Sequence, residues 1–339
     1  MKILITGGAG FIGINAAKRF LDEGHRVIIF DNLSRRGAEH NLNWLKGQKV
    51  FEFVKGDIRD FEQVKRVFYN HKAVDVVLHL AAQVAVTTSV LNPREDFELN
   101  ALGTFNLCEA VRQSQPEAIL LNASTNKVYG ETEDAKVVER NGRYAYANLP
   151  GGISEDWPLD FHSPYGCSKG AADQYVRDYA RIYGIKTVNF RQSCIYGYRQ
   201  FGIEDQGWVA WFTICAVLGR EVTIYGDGKQ VRDVLFIDDL IDCYLKAIEY
   251  IDKVKGKNYN IGGGPENTLS LLELIALLEG FIGKKVHYTF DKWRPGDQKV
   301  FICDIERAEK DFGWKVKTQA REGVEKLFRW VLENRGLFG

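Results

Sequence analysis

Tyr165 and Lys169 in "SPYGCSKGAADQYVRDYARIYG" have the types and spacing for proton chemistry. On a helix, positions i and i+4 share a face, so phenol and ammonium would stand together. A free tyrosine, with a pKa near 10, is a poor base at neutral pH. A neighbouring cation favours the phenolate and lowers that pKa. A third group, Thr125 in "ASTNKVYG", follows the apolar run Ala118 to Leu121 and so lies just past a strand end. Its hydroxyl can hold the substrate hydroxyl that loses its proton. Two other pairs share the spacing, Tyr225/Lys229 and Tyr288/Lys292. The first lies in a Gly-Asp-Gly turn and the second in a short apolar strand, whereas Tyr165 opens a long helical pattern. A surface helix with an incidental Tyr and Lys is the competing reading, and a glycine motif upstream weighs against it.

That motif is "ILITGGAGFIG", which sets Gly7, Gly10 and Gly13 behind an apolar strand and at the head of an amphipathic helix. Glycines there let the backbone approach a pyrophosphate, which the free N–H groups and the macrodipole of a helix N-terminus attract. Phe11 and Ile12 lie in the same turn. Asp31 ends the next strand, followed by Asn32. An acid at that place can accept from both ribose hydroxyls of an adenosine and repels a 2′-phosphate, which favours NAD over NADP. Arg35 and Arg36, just beyond, could meet such a phosphate or simply be solvated. Asp57 and Ile58 in "KGDI" are placed for the adenine edge. Leu80, Ala81, Ala82 and Gln83 in "HLAAQ" are small enough or polar enough to let a dinucleotide pass, and Asn100 is a further cofactor candidate.

These groups need a scaffold. Apolar β-rich runs at Lys2–Thr6, Arg26–Phe30, Val50–Val54, Val74–His79, Ala118–Leu121 and Lys186–Phe190 alternate with helical patterns near Ile12–Glu23, Asp60–Asn70, Glu95–Gln113 and Pro164–Tyr183. Such alternation predicts right-handed βαβ units and an α/β fold, a Rossmann-type doubly wound parallel sheet. The expected division is a dinucleotide-binding domain over 1–190 and a smaller C-terminal α/β substrate domain over 191–339, with elements exchanged between them. Residues 131–162 break the rhythm and read as a long functional loop. Ser270–Gly280 reads as a helix with a capping box, Ser270 and Glu273, and a stop near Gly280.

Bulk composition narrows the class. The 339 residues are 45% hydrophobic and 27% charged with a formal net charge of zero, so no nucleic-acid or acidic-membrane partner is indicated. Six scattered cysteines form no CxxC pair and no metal-spaced cluster, which points to free thiols, no metal and a reducing, cytoplasmic setting. No apolar run approaches membrane-spanning length. The N-terminus enters a strand at once, leaving no room for a signal peptide.

"TGGAGFIG", "DNLS", "GDI", "HLAA", "STNKVYG", "SPYGCSK" and "GKQVRDVLFIDDL" together resemble the extended short-chain dehydrogenase/reductase family of nucleotide-sugar enzymes. The resemblance spans essentially the whole chain. It implies NAD, a Thr125–Tyr165–Lys169 triad, a nucleotide-sugar substrate and a homodimer or homotetramer. In the sugar 4,6-dehydratases of that family an acid pair follows the threonine. Here Asn126 and Lys127 stand there. An amide is no general acid and an ammonium replaces no carboxylate base, so water elimination is excluded. The runs "DFHSPYGCSKGAADQY" and "YGYRQFGIEDQGWVAWF" resemble the branch that inverts C2 of CDP-linked 3,6-dideoxyhexoses. Arg232 and Arg294 match family positions that hold diphosphate or ribose. Asn126, Asn189, Arg191, Ser193, Gln200 and Trp208 are further substrate candidates. Trp208, three residues from Trp211, could equally be core. The alternatives are a UDP-sugar 4-epimerase of the same family or a non-catalytic NAD-binding module.

Overall fold

The computed structural model describes residues 1–294 and 296–338. Its centre is a seven-stranded sheet in the order Lys257–Ile261, Thr187–Gln192, Ile119–Thr125, Val76–His79, Lys2–Thr6, Arg26–Asp31, Glu52–Lys55. Every neighbouring pair is parallel. All four residues of Val76–His79 are buried, as expected for a parallel strand covered on both faces. The order reverses between Lys2–Thr6 and Val76–His79, which opens a crevice at their carboxyl ends. Gly7 lies in it, and a Cβ on Gly7 would sit 2.7 Å from the Ala81 nitrogen.

The C-terminal half returns one strand, Lys257–Ile261, to this sheet. The rest of it forms small sheets, Val222–Tyr225 with Tyr288–Asp291, and Val231–Asp233 between Thr268–Ser270 and Val300–Phe301. The helices Trp208–Leu218, Leu271–Ile282 and Ala320–Glu333 pack on one another beside them. Ser270 and Glu273 form the capping box, but the helix continues past Gly280 to Ile282 and stops at Gly283, where φ is 69°. A glycine with nothing near its Cβ position is tolerated inside a helix, and the left-handed turn, not the first glycine, ends it. Among the described residues no helix is long and apolar enough to cross a membrane.

Two stretches differ from the sequence reading. The pattern over Glu95–Gln113 resolves into a helix Pro93–Phe97, a π-helical turn Glu98–Leu102 and a helix Gly103–Ser114. The Thr104 hydroxyl donates to the Asn100 carbonyl at 2.6 Å within that wide turn, a local bond of the kind that bends helices. The segment 131–162 holds a hairpin, Val137–Arg140 with Arg143–Tyr146, turned at Asn141 and Gly142 with φ of 52° and 76°. It is tied to the C-terminal half. Tyr144 donates its N–H to the Lys229 carbonyl at 3.1 Å, and Arg143 pairs with Glu273 at 3.0 Å. Beneath it Tyr129, Tyr146, Ile153, Phe301 and Cys303 make a small separate core.

Candidate active site

Above the carboxyl ends of the strands lies a cleft of about 810 Å³. Among the predicted residues, Gly7, Gly10, Phe11, Ile12, Gly13, Asp31, Asn32, Ile58 and Leu80 to Gln83 line it. Thr125, Tyr165 and Lys169 line the same cleft, as do Asn126, Gln200, Trp208, Arg232 and Arg294. Residues from both halves of the chain therefore meet in one space.

The glycine turn is shaped for a backbone-bound anion. A Cβ on Gly13 would lie 2.4 Å from the Gly7 carbonyl oxygen, a contact with backbone that cannot give way. The helix Phe11–Asp22 has Gly10 at its N-cap with no side-chain cap and no acid in its first turn. Its leading N–H groups remain available to a phosphate. Asp31 accepts from Ala9 N–H at 3.0 Å and Leu33 N–H at 2.7 Å, one on each oxygen, which leaves lone pairs for ribose hydroxyls. Burial raises its pKa and those two bonds oppose the rise. These features fit a dinucleotide.

Asp57 does not line the cleft. It is held by Arg59 at 2.7 Å, which with the Asn32 amide at 3.1 Å keeps its pKa down at about 2. Asn100 is likewise behind the wall, accepting from Gln83 N–H at 2.9 Å and donating to Asp96 at 3.1 Å. Arg35 lines the cleft and donates to Gln206 at 2.6 Å, linking the loop after Asp31 to the segment 199–207.

The helix Ser163–Tyr183 positions the acid–base pair. Ser163, at φ 65°, uses its hydroxyl to accept from Gly166 N–H at 3.2 Å, and Pro164 fits the first turn, where no N–H partner is needed. The helix ends at Gly184, φ 72°. Tyr165 N–H donates to Ser89 Oγ at 3.1 Å, pinning the first turn to the opposite wall. Thr125, Tyr165 and Lys169 are 6%, 7% and 5% exposed, so all three act in a desolvated setting. The Thr125 hydroxyl lowers the pKa of the neighbouring Tyr165 phenol and donates to Asn126 Oδ1 at 3.3 Å. Its own oxygen accepts from Lys127 N–H at 3.2 Å. Lys169 Nζ donates to the Ala123 carbonyl at 2.6 Å.

The electrostatics depart from the simplest expectation. Burial pushes Tyr165 up to about 12 and Asp96 adds to this, while Thr125 and Arg35 oppose it. Burial also brings Lys169 down to about 8, against the attraction of Asp173 and Asp96. The protein by itself therefore stores a protonated tyrosine.

Asn189, Arg191 and Ser193 do not reach the cleft. Arg191 is buried in a two-pronged pair with Asp173, at 3.0 and 3.1 Å, and also donates to the Tyr129 hydroxyl at 3.0 Å. Asn189 binds Asn122, the Asp173 carbonyl and Asn258, and Ser193 donates to Asp233 at 2.6 Å. All three sit at the predicted strand end, but their side chains point into the protein and bolt the strand Thr187–Gln192 to its neighbours. Sequence reasoning missed Thr87 and Thr88, which continue the wall after Gln83, and Gln230, which precedes Arg232. The run "QVAVTTS", with small and hydroxyl residues directly after "HLAA", was the available signal.

The model of the family described as GDP-mannose 4,6 dehydratase matches residues 4–327. The CDP-paratose 2-epimerase of Salmonella typhi is 49% identical over 336 residues, covering 98% of this chain and 99% of that protein. A putative UDP-glucose 4-epimerase of Methanocaldococcus jannaschii is 34% identical, covering 98% of this chain and 99% of that one. Among solved structures, the UDP-glucose 4-epimerase of Thermus thermophilus in complex with NAD superposes with a TM-score of 0.82 at 32% identity, over 97% of this chain and 98% of that one. With its glycine turn, its acid–base helix and its shared cleft, the chain belongs to the NAD-dependent epimerase/dehydratase family, the extended short-chain dehydrogenase/reductases of nucleotide-sugar chemistry.

Proposed function

We propose that the chain inverts C2 of a CDP-linked 3,6-dideoxyhexose, converting CDP-paratose to CDP-tyvelose. The observation that carries this is the near full-length 49% identity with the Salmonella typhi 2-epimerase, joined to one cleft holding Thr125, Tyr165 and Lys169. The hydrogen at C2 is not acidic, because C1 is acetal-like and C3 is a methylene. Direct deprotonation is therefore a poor route, and oxidation to a 2-keto sugar followed by reduction on the other face is the workable one. NAD supplies that oxidation and reduction when bound, and is regenerated in each cycle.

The chain's own residues hold the dinucleotide and manage the proton. The glycine turn and Asp31 hold pyrophosphate and ribose. Thr125 holds the C2 hydroxyl against Tyr165, which, once ionised to the phenolate, takes its proton on Oη and returns it after the sugar has turned. The barrier to that step is set by the raised pKa of Tyr165, which a cation brought into the cleft lowers. Lys169, near neutrality in its titration, orders the site from the Ala123 side. Asn126 and Lys127 leave no acid pair for elimination. Arg232 and Arg294, each tied to a carboxylate at 2.6 and 2.9 Å, frame the nucleotide end. The cytoplasm is the fitting compartment for a chain with six free cysteines. Homo-oligomerisation uses the exposed Tyr175, Ile182 and Tyr183 of the acid–base helix.

A UDP-sugar 4-epimerase would share the cofactor site and the acid–base residues, as the 34% identical relative illustrates. Denaturing the purified protein and identifying released cofactor by mass spectrometry, then assaying CDP-, UDP-, GDP- and dTDP-sugars, separates the two. Turnover confined to UDP-hexoses would replace the 2-epimerase reading. Protein that releases NAD but turns over none of these sugars would leave the non-catalytic NAD-binding module.

A further inference from the structure

Lys127 is a cation in the cleft that the mechanism leaves unused. It lines the same space as Thr125 and Arg232. Its ammonium donates to the Gln298 amide oxygen at 3.4 Å, the one side-chain hydrogen bond it makes among the described residues. Among the described residues no carboxylate lies within 4.0 Å of its ammonium. Arg232 and Arg294, by contrast, each hold an acid, Asp297 and Asp205. Burial and the repulsion of Arg232 lower the Lys127 pKa, and Asp297, Cys194 and Glu131 offset only part of this. A half-buried cation without an ion-pair partner carries a desolvation cost that an anionic ligand would offset.

Position says which anion. The Lys127 N–H holds the Thr125 hydroxyl at 3.2 Å, so its side chain starts at the reacting centre. Its ammonium reaches the amide oxygen of Gln298, the residue next to Asp297, which holds Arg232 at 2.6 Å, so the side chain runs from that centre toward the nucleotide end. In a sugar nucleotide that reacts at C2, the adjacent atom is C1, which carries the glycosidic phosphate. A sugar reacting at C4 would place that phosphate across the ring. We propose that Lys127 binds the β-phosphoryl oxygens of the substrate and so fixes C1, the pivot about which the sugar turns. This inference rests on the C2-epimerase reading.

The test is calorimetric titration of the cofactor-loaded protein with CDP and with CMP, which lacks the β-phosphate. Lys127→Met should bind CDP about tenfold or more weakly and CMP within about twofold of the native protein, since one charge-assisted phosphate contact is lost. Lys127→Arg keeps the charge and should stay within about threefold of native for CDP. CDP affinity undiminished in Lys127→Met, or equal losses for CDP and CMP, overturns the inference. Native protein that binds neither nucleotide instead sinks the functional reading itself.

Discussion

At the scale of residues, the site is a buried hydroxyl relay. Tyr165→Phe removes the group that moves the proton but leaves the nucleotide contacts. Turnover should fall by roughly 10²–10⁴-fold, the usual worth of a positioned acid–base group, with CDP affinity unchanged in the same titration. Unchanged turnover would transfer the proton step elsewhere. A second residue-scale consequence concerns His79. Its ring is buried between the Thr6 and Thr104 hydroxyls at 2.6 and 3.0 Å, and burial together with the Lys169 charge lowers its pKa from 6.5 to about 3. A base whose folded pKa is depressed stays neutral in the fold while the unfolded chain takes up a proton. The contribution to stability is thus fully present above pH 6.5 and is lost as pH falls toward 3. Urea unfolding between about pH 7.5 and about pH 5 should show a loss of about 2 kcal/mol that a His79→Asn variant lacks. Parallel pH profiles for the two proteins would refute this.

At the scale of elements, two joints hold the relay in place. Gly13 must be bare, since a Cβ there meets the Gly7 oxygen at 2.4 Å and the Gly8 Cα at 2.6 Å. Gly13→Ala should cost about 1–3 kcal/mol in thermal unfolding through forced backbone movement and should strip the bound dinucleotide from the purified protein. The second joint is the Arg191–Asp173 pair, 2% and 0% exposed, which binds a sheet strand to the acid–base helix. Arg191→Met leaves Asp173 buried and unpaired and should cost about 3–5 kcal/mol in denaturant unfolding, with Arg191→Met/Asp173→Asn recovering part of it. Equal losses in both variants would mean the pair does not couple. This pair also marks a boundary of sequence reading. A strand-end arginine is equally an anion ligand or a buried strut, and only the facing Asp173, eighteen residues away on a helix, decides between them. The turn at Asn141–Gly142 was different: Asn-Gly between "VVER" and "RYAY" is a hairpin signal, and the polar composition around it hid an ordered clamp.

At the scale of the molecule, the legible parts were those set by local rules. Alternating apolar and amphipathic runs carried the parallel sheet, and strand–glycine–helix punctuation placed Gly7 to Gly13. Less legible were features created by contacts across the chain. The return of Lys257–Ile261 to the central sheet, the hairpin's hold on Lys229 and Glu273, and the raised pKa of Tyr165 all depend on which surfaces meet. The π-helical turn at Glu98–Leu102 is a further case, because periodicity does not register one extra residue in a turn. The architecture as a whole brings the glycine turn and Thr125, Tyr165 and Lys169 into one cleft. Its central claim is that the hydrogen leaving C2 comes back to C2. Turnover of CDP-paratose carrying deuterium at C2, in ordinary water, tests this most directly. CDP-tyvelose retaining the deuterium at C2 is the predicted product. Inverted product whose deuterium has been lost to solvent would contradict the account.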